Sequence, residues 1–219
     1  GTTWTQQAQL LAADGAADDL FGRWVDIDGT TALVGAFLDD VGANVDQGSA
    51  YAYTRSGLTW SQQAKLVAGD GAADDRFGWS VALSGDTALV GANLDNVGSA
   101  ADQGSAYVYI RSGGGWAQQA KLANPVPVAL DYFGTSVAVS GDTVLVGSPR
   151  TDAAAMSDAG IAYVFVRSGT TWTKQAELVA GDIKIQGNFG NAVALNGDEA
   201  VIGAPWQSGP GRRLRSGEI

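Results

Sequence analysis

The sequence contains no histidine and no cysteine in its 219 residues. The absence of imidazole excludes Ser-His-Asp and Cys-His catalysis, and with them the usual zinc, iron and copper sites. The absence of thiols excludes disulfide bonds and thiolate nucleophiles. Only carboxylates, lysine, tyrosine and serine remain for acid–base chemistry, so the composition favours a protein that binds over one that catalyses.

Basic residues and long apolar runs are also scarce. Lysine and arginine number 13 against 23 acidic residues, a net charge of −10, which argues against nucleic acid because phosphate binding needs Lys and Arg. No apolar run approaches the roughly 18 residues of a membrane-spanning helix, so we expect no membrane span. The chain begins at Gly1 without methionine or a signal-peptide pattern. We therefore expect a processed or excised piece whose export signal is no longer visible.

What the sequence does have is a repeat of 56 residues. Four tryptophans, four Phe-Gly pairs and four Val-Gly-Ala triplets or close variants recur at this spacing. The positions are Trp4, Trp60, Trp116 and Trp172; Phe21, Phe77, Phe133 and Phe189; and Gly35, Gly91, Gly147 and Gly203. A fixed period of this length predicts a repeat architecture in which each unit buries its apolar face against its neighbours.

The second repeat predicts four antiparallel strands. Residues 77–84 alternate large and small side chains, which is typical of a strand buried on both faces. Gly85-Asp86 predicts a tight hairpin turn. The remaining strands are predicted at 87–92, 104–111 and 116–122, with a long polar loop at 93–103. Four strands per repeat without any helical period predict an all-β propeller with one four-stranded antiparallel blade per repeat.

We expect one propeller domain over residues 1–219, with strands near 21–28, 31–36, 48–55 and 60–66 that recur every 56 residues. The predicted blades are 14–66, 70–122, 126–178 and 182–219. The last blade lacks a fourth strand, whereas residues 4–10 form a spare one, so we predict four blades closed by pairing of 4–10 with the last blade. The alternative is part of a larger ring, either half of an eight-bladed homodimer or a fragment of a seven-bladed protein. A monomer is favoured, and light scattering separates a mass of 22.4 kDa from twice that value.

These motifs resemble the FG-GAP repeats, whose units run from a Phe-Gly pair through a Gly-Ala-Pro or similar triplet to an aromatic strand. The resemblance covers essentially the whole chain, and the last repeat has the full triplet Gly203-Ala204-Pro205. It implies an integrin-alpha-like propeller of a bacterial secreted or cell-surface protein, with a role in adhesion. Many members carry an Asp-rich calcium loop between the first two strands. Here only short turns such as Ser84-Gly85-Asp86 occupy that place, so the family's calcium sites do not carry over.

The acidic loop before each Phe-Gly pair is a candidate metal site. Its carboxylates are Asp14, Asp18 and Asp19 in the first repeat and Asp70, Asp74 and Asp75 in the second. Carboxylates at this spacing can hold calcium together with backbone oxygens. The favoured alternative is that they turn the chain through local hydrogen bonds. No cofactor is expected to be required.

Two further polar sets recur. The loop between the second and third strands carries Asp39, Asp40, Asn44 and Asp46, then Asp95, Asn96 and Asp102, then Asp152 and Asp158. We expect the Asp directly before the third strand to bond backbone amides within its blade. Arg55, Arg111 and Arg167 end the third strands, and their repetition favours a structural bond to a neighbouring Asp. The tail arginines Arg212, Arg213 and Arg215 are expected to be frayed.

The first repeat breaks the packing pattern that the others obey. Trp24 and Asp26 stand where the other repeats have Ser or Ala, and Arg23 stands where the second repeat has Trp79. Local departures of this kind mark function or strain. Arg23, Trp24, Asp26 and Trp79 are therefore candidate ligand-binding residues near the central channel. The alternative is compensation at the closure point, with Asp26 paired to Arg23 or to a tail arginine.

These observations favour a non-enzymatic binding scaffold that holds a protein or glycan ligand on the propeller rim. A lectin-like propeller that binds small sugars through exposed Trp and Asp residues is one alternative. A carboxylate-dependent glycosidase or lyase is another, with Asp26 as the only candidate and no partner that the sequence can name.

Overall fold

A computed structural model describes residues 3–206 and the backbone of the strand Arg213–Arg215. The described residues contain fifteen β-strands and no helix. The strands are β1 (Val25–Asp28), β2 (Thr31–Ala36), β3 (Ser49–Ser56), β4 (Thr59–Leu66), β5 (Phe77–Ser84), β6 (Thr87–Ala92), β7 (Ser105–Ser112), β8 (Gly115–Leu122), β9 (Ser136–Ser140), β10 (Thr143–Ser148), β11 (Ile161–Ser168), β12 (Thr171–Leu178), β13 (Ala192–Asn196), β14 (Glu199–Gly203) and β15 (Arg213–Arg215). The predicted all-β class is confirmed.

The strands form four antiparallel sheets, one for each repeat. Three sheets have four strands, in the orders β1-β2-β3-β4, β5-β6-β7-β8 and β9-β10-β11-β12, and the last has the order β13-β14-β15. Strand β1 contacts β5, β5 contacts β9, and β9 contacts β13. The sheets, called blades 1 to 4 in chain order, therefore stack side by side through their first strands. This arrangement confirms propeller-type blades on a 56-residue repeat.

The first strand of each inner blade is buried between its two neighbours. In blade 2, Val81 and Leu83 share an apolar cluster with Leu33 of blade 1. Ala82, on the opposite face of the same strand, joins a cluster with Val137 of blade 3. The large side chains thus face the preceding blade and the small ones face the following blade, which lets adjacent sheets interdigitate.

Glycine allows the backbones of adjacent blades to touch. Gly78, with φ +92, follows Phe77 at the start of β5, and its carbonyl oxygen lies where a Cβ on Gly35 of blade 1 would stand. The same contact recurs between Gly91 and Gly134 and between Gly147 and Gly190. The two landmarks of the repeat, Phe-Gly and Val-Gly-Ala, are therefore the two sides of one contact between blades.

A bulge in each fourth strand ties that strand to the next blade. The pairing of β3 with β4 shifts register between Ala52 and Tyr53, which leaves Gln63 out of the ladder. The Oε1 atom of Gln63 accepts a hydrogen bond from the indole Nε1 of Trp116 in blade 2 at 2.9 Å. Gln119 and Trp172 repeat the bond at 2.8 Å. The tryptophans that mark the repeat thus report on contacts between blades.

The predicted pairing of residues 4–10 with the last blade is not observed. These residues form no strand in the described part of the chain. Instead, the Oε1 atom of Gln7 accepts from the indole of Trp60 at 3.3 Å, the role that Gln63 plays toward blade 2. Leu10 packs against the apolar cluster of blade 1. The segment follows the repeat register and lies beside blade 1, where the outer strand of a preceding blade would lie.

Closure of the four blades into a ring is not shown either. Val25 and Ile27 of β1 are 63% and 62% exposed, whereas the equivalent Val81 and Leu83 of β5 are 8% and 6% exposed. In the described residues, the face of blade 1 that points away from blade 2 is therefore open. At the other end of the array, β14 pairs with the three-residue strand β15.

The glycine contact predicts a clear difference between two Gly→Ala variants. Gly91→Ala should lower the free energy of unfolding by at least about 2 kcal/mol, because its Cβ would overlap backbone of blade 3. Gly115→Ala is the matched control, since this strand glycine has no positive φ and its Cβ would meet its nearest atom at 4.0 Å. The control should change stability by less than about 0.5 kcal/mol. Urea unfolding measures both, and equal losses would contradict the role assigned to Gly91.

Candidate ligand-binding surface

The two ends of the blades differ in their connections. Two-residue turns at 29–30 and 57–58 join strands at one end, here called the hairpin end. The loops 37–48 and 67–76 lie at the opposite end, here called the long-loop end. The predicted acidic sites all belong to this second end, where the first strand of each blade begins.

A tyrosine and a lysine hold the acidic loops of blade 1. The Tyr51 hydroxyl donates to Asp14 Oδ1 at 2.9 Å, and Lys65 Nζ lies 2.7 Å from both Asp14 Oδ2 and Asp39 Oδ2. The hydrogen bond from Lys65 lowers the pKa of Asp14, and burial raises the pKa of Tyr51 to about 12. Blade 2 repeats this cluster with Tyr107, Asp70, Lys121 and Asp95. The loops are therefore fixed to the blades by charge-assisted bonds.

The acidic loops follow the local-bond interpretation and do not form a calcium site. Asp19 Oδ2 accepts from the backbone N–H of Ala16, and Asp75 Oδ2 accepts from that of Ala72, both at 2.6 Å. A cavity of about 450 Å³ opens over the first loop, lined by Asp18 and neighbouring carboxylates, but Lys65 also lines it. Among the residues that the structure describes, no group of three or more carboxylates is placed to hold a metal.

The Asp before each third strand acts differently from the prediction. Its backbone N–H is a donor, and the acceptor is the side chain six residues earlier in the same loop. The bonds are Asp46 to Asp40 and Asp102 to Asn96, both at 2.9 Å, and Asp158 to Asp152 at 3.0 Å. The residue that shapes the loop is therefore the earlier one, which sequence spacing alone did not single out.

Asp75 is a buried carboxylate in the loop before blade 2. It is 1% exposed, and its Oδ1 atom has no hydrogen-bond partner among the described residues. Burial raises its pKa to about 6, with a smaller contribution from the charge of Asp95. The equivalent Asp131 is also buried and has a raised pKa, but it accepts a bond from Asn124 Nδ2 at 2.9 Å.

The recurring arginines lie at the hairpin end and have the structural role that we expected. The Nε atoms of Arg111 and Arg167 donate to Asp86 and Asp142 at 2.7 Å. Arg55 packs instead over the ring of Trp60, at 5.8 Å from its centroid. The side chains of the tail arginines Arg212, Arg213 and Arg215 lie outside the described residues.

The structure brings together two of the four predicted ligand-binding residues. The guanidinium carbon of Arg23 lies 4.9 Å from the ring centroid of Trp79 and 5.4 Å from that of Phe37. The two rings meet edge to face at 4.9 Å, and the guanidinium of Arg76 lies 5.9 Å from the Trp79 ring. This group, here called the Arg–Trp cluster, lies between blades 1 and 2 at the long-loop end.

The other two predicted residues do not belong to the cluster. Asp26 Oδ2 accepts from the backbone N–H of Leu83 in blade 2 at 2.7 Å, and Oδ1 accepts from that of Ile27 at 2.8 Å. The predicted pairing of Asp26 with Arg23 or a tail arginine is not observed, since backbone amides bind both oxygens. Asp26 therefore ties blade 1 to blade 2. Trp24 is 43% exposed.

Four segments of the chain, one for each 56-residue repeat, match the FG-GAP repeat: residues 4–53, 60–109, 116–165 and 172–219. The chain belongs to the FG-GAP repeat family. A comparison with curated proteins gives no match. In the described part of this FG-GAP chain, no helix is long and apolar enough to cross a membrane.

The FG-GAP repeats differ most at loop positions that sequence analysis did not single out. Arg76 is one example, and the Arg150 guanidinium lies 4.7 Å from the ring centroid of Tyr132 in the same manner. A cavity of about 450 Å³ lies at the junction of blades 3 and 4, lined by Arg150, Asp158, Ile185, Gln186, Asn188 and Trp206. Comparing equivalent positions of the four repeats would have exposed this signal, because Leu20, Arg76, Tyr132 and Asn188 stand 56 residues apart.

Asp75 predicts a dependence of stability on pH. As the pH rises from about 4 to 6, the unfolded carboxyl, with a pKa of 3.8, loses its proton while the folded one, with a pKa of about 6, retains it. The free energy of unfolding should therefore fall relative to that of Asp75→Asn, by about 3 kcal/mol over this range. Denaturant unfolding at several pH values measures the difference. Asp74→Asn, in the same loop and exposed, controls for the loss of one charge, and a parallel slope for Asp75→Asn would contradict the assignment.

Proposed function

We propose that the chain is a non-enzymatic binding module of a secreted or cell-surface protein, and that its long-loop end holds a protein ligand. The FG-GAP family is one of binding scaffolds, so the open questions for this chain are where the ligand binds and through which groups. The observation that carries the proposal is the Arg–Trp cluster of Arg23, Phe37, Arg76 and Trp79.

The cluster has the composition of a protein-binding hot spot. Arginine and aromatic side chains dominate the energetically important centres of protein interfaces. Arg23 is exposed and Trp79 is partly exposed, so a ligand can reach both. Blades 3 and 4 carry Thr135 and Asn191 in place of Trp79. Packing between blades therefore does not require an aromatic residue at this position.

The surroundings of the cluster also support a binding surface. The acidic loops at the long-loop end are fixed by Tyr51, Lys65 and their equivalents in blade 2. Loops positioned by a rigid scaffold are the usual place for ligand contacts. Because these loops are rich in carboxylates, we expect the partner to carry basic residues around its point of contact with the cluster.

The carboxylate-dependent enzyme alternative gains no support from Asp26. Both of its oxygens accept backbone N–H bonds, one of them from Leu83 of the next blade. A general acid in glycoside hydrolysis must instead deliver a proton to the leaving group. Asp26 is therefore committed to holding two blades together.

Selection of displayed peptides tests the proposed protein ligand. Peptides enriched on the wild-type chain from a random library should bind Arg23→Ala and Trp79→Leu at least tenfold more weakly, about 1.4 kcal/mol, because both variants remove a hot-spot contact. Arg55→Ala is the matched control, since it removes an Arg–Trp contact at the hairpin end. Enriched peptides that bind all three variants like the wild type would place the ligand elsewhere.

A lectin-like function is the second candidate, and the cavity between blades 3 and 4 is the observation that favours it. Trp206 is 73% exposed at the cavity and offers an apolar ring beside Asp158, Gln186 and Asn188, which can bond hydroxyl groups. A glycan array should then give signals that Trp206→Ala abolishes. Trp4→Ala, which removes a tryptophan that is 98% exposed outside the cavity, should leave them unchanged. An array without signal at millimolar ligand would eliminate this candidate.

A further inference from the structure

The described arginines and lysines of the chain divide into two groups. Lys65, Arg111, Lys121, Arg167 and Lys174 form ion pairs with carboxylates. Arg23 and Arg76 form no ion pair within the described residues, although acidic residues outnumber basic ones by 23 to 13. The two guanidinium groups at the Arg–Trp cluster are thus left without a counter-charge in a protein that has an excess of acid.

The geometry of the cluster makes this lack of a counter-charge more specific. Both guanidinium groups lie over one indole ring, that of Trp79, so two positive charges share the same surroundings. The Nε atom of Arg76 is buried and has no hydrogen-bond partner among the described residues. Unsatisfied buried donors are uncommon in folded proteins, and each calls for an explanation. An anion that binds here would supply the acceptor and offset the repulsion between the two arginines.

Resting on the proposed function, we infer that the Arg–Trp cluster receives a carboxylate side chain, Asp or Glu, of the protein partner. The guanidinium groups of Arg23 and Arg76 donate hydrogen bonds to the carboxylate oxygens. The rings of Trp79 and Phe37 hold the Arg23 guanidinium between them, which leaves its N–H groups for the ligand and loses little conformational entropy on binding.

The groups at the cluster favour a side-chain carboxylate over a sugar acid. A Glu side chain brings methylene groups that suit the Trp79 and Phe37 rings, and one carboxylate for two guanidinium groups. A uronic acid would bring several hydroxyl groups as well, whose own protons need acceptors. The side chains that form the cluster are guanidinium groups and aromatic rings, and neither accepts strong hydrogen bonds.

The test follows the arginine Nε–Hε signals of the whole chain by NMR. The probes are acetyl-Gly-Glu-Gly-amide, its Gln analogue and glucuronate, each added to millimolar concentration at low ionic strength. The Glu peptide should shift the signals of Arg23 and Arg76, and added salt should weaken the effect. Arg23→Gln should reduce the affinity at least tenfold. Arg150→Gln, which removes the single arginine stacked on Tyr132, should leave it unchanged.

Each other outcome overturns the inference in a recognisable way. Equal shifts with the Glu and Gln peptides would show that the carboxylate is not recognised. Shifts with glucuronate alone would replace the protein partner by an acidic glycan. Equal shifts of Arg23, Arg55 and Arg150 would indicate general charge attraction. Arg23 is exposed, so Arg23→Gln remains informative even where Arg76→Gln fails to fold. Peptides that need Trp79 but contain no acidic residue would overturn this inference and leave the proposed function standing.

Discussion

Neighbouring blades of this chain meet first through backbone without side chains between them. The glycine of each Phe-Gly pair lies against the glycine of the preceding Val-Gly-Ala triplet, at a spacing that leaves no room for a Cβ. The apolar interdigitation of Val81 with Leu33 depends on this approach, as does the bond from Gln63 to Trp116. The repeat is therefore defined less by its aromatic residues than by the two glycines that set the distance at which those residues can pack.

Once the blades are held at this distance, the side chains divide into two classes. Those that bridge blades, such as Gln63 and Ser80, recur with little change because each has a partner in the next blade. Those at the long-loop end have no such partner and differ from repeat to repeat. The Tyr–Asp–Lys cluster stands between these classes. Blades 1 and 2 have it, whereas blade 3 has Glu177 where Lys121 stands in blade 2, and there Lys174 pairs with the glutamate. Binding chemistry can thus change without disturbing the contact between blades.

The sequence predicted the strands well where the signal is local. Strand β2 was predicted at 31–36 and is Thr31–Ala36, because alternation and a following loop define it. Strand β1 begins at Val25 instead of residue 21, since the equivalent Phe77 gains its backbone bond from Gln47 of a preceding blade, and blade 1 has no such neighbour in the described residues. The pairing of 4–10 with the last blade was wrongly anticipated for a related reason: a spare strand was visible, but its contact with Trp60 was not.

The candidate site was only half predictable. A break in the repeat pattern correctly directed attention to Arg23 and Trp79, which the fold brings together. The same break suggested Asp26, whose partner is a backbone amide 57 residues away in the next blade. A backbone donor leaves no trace in a side-chain pattern, so such a tie resembles a functional departure. Arg76 was missed because a single arginine in a loop is unremarkable until its ring partner is known.

The loop residue just before each Phe-Gly pair has a further consequence. Leu20, Arg76, Tyr132 and Asn188 all adopt positive φ, between 51 and 59 degrees, a conformation that costs a non-glycine residue roughly 1 kcal/mol. Glycine would relieve that strain, yet none of the four repeats has it there. Each repeat therefore retains a side chain at an energetically unfavourable place, and the four side chains are apolar, basic, aromatic and amide in turn. The array resembles a row of identical mounts that carry different tools, and gene duplication followed by change at this one codon would diversify the surface while the fold remained the same.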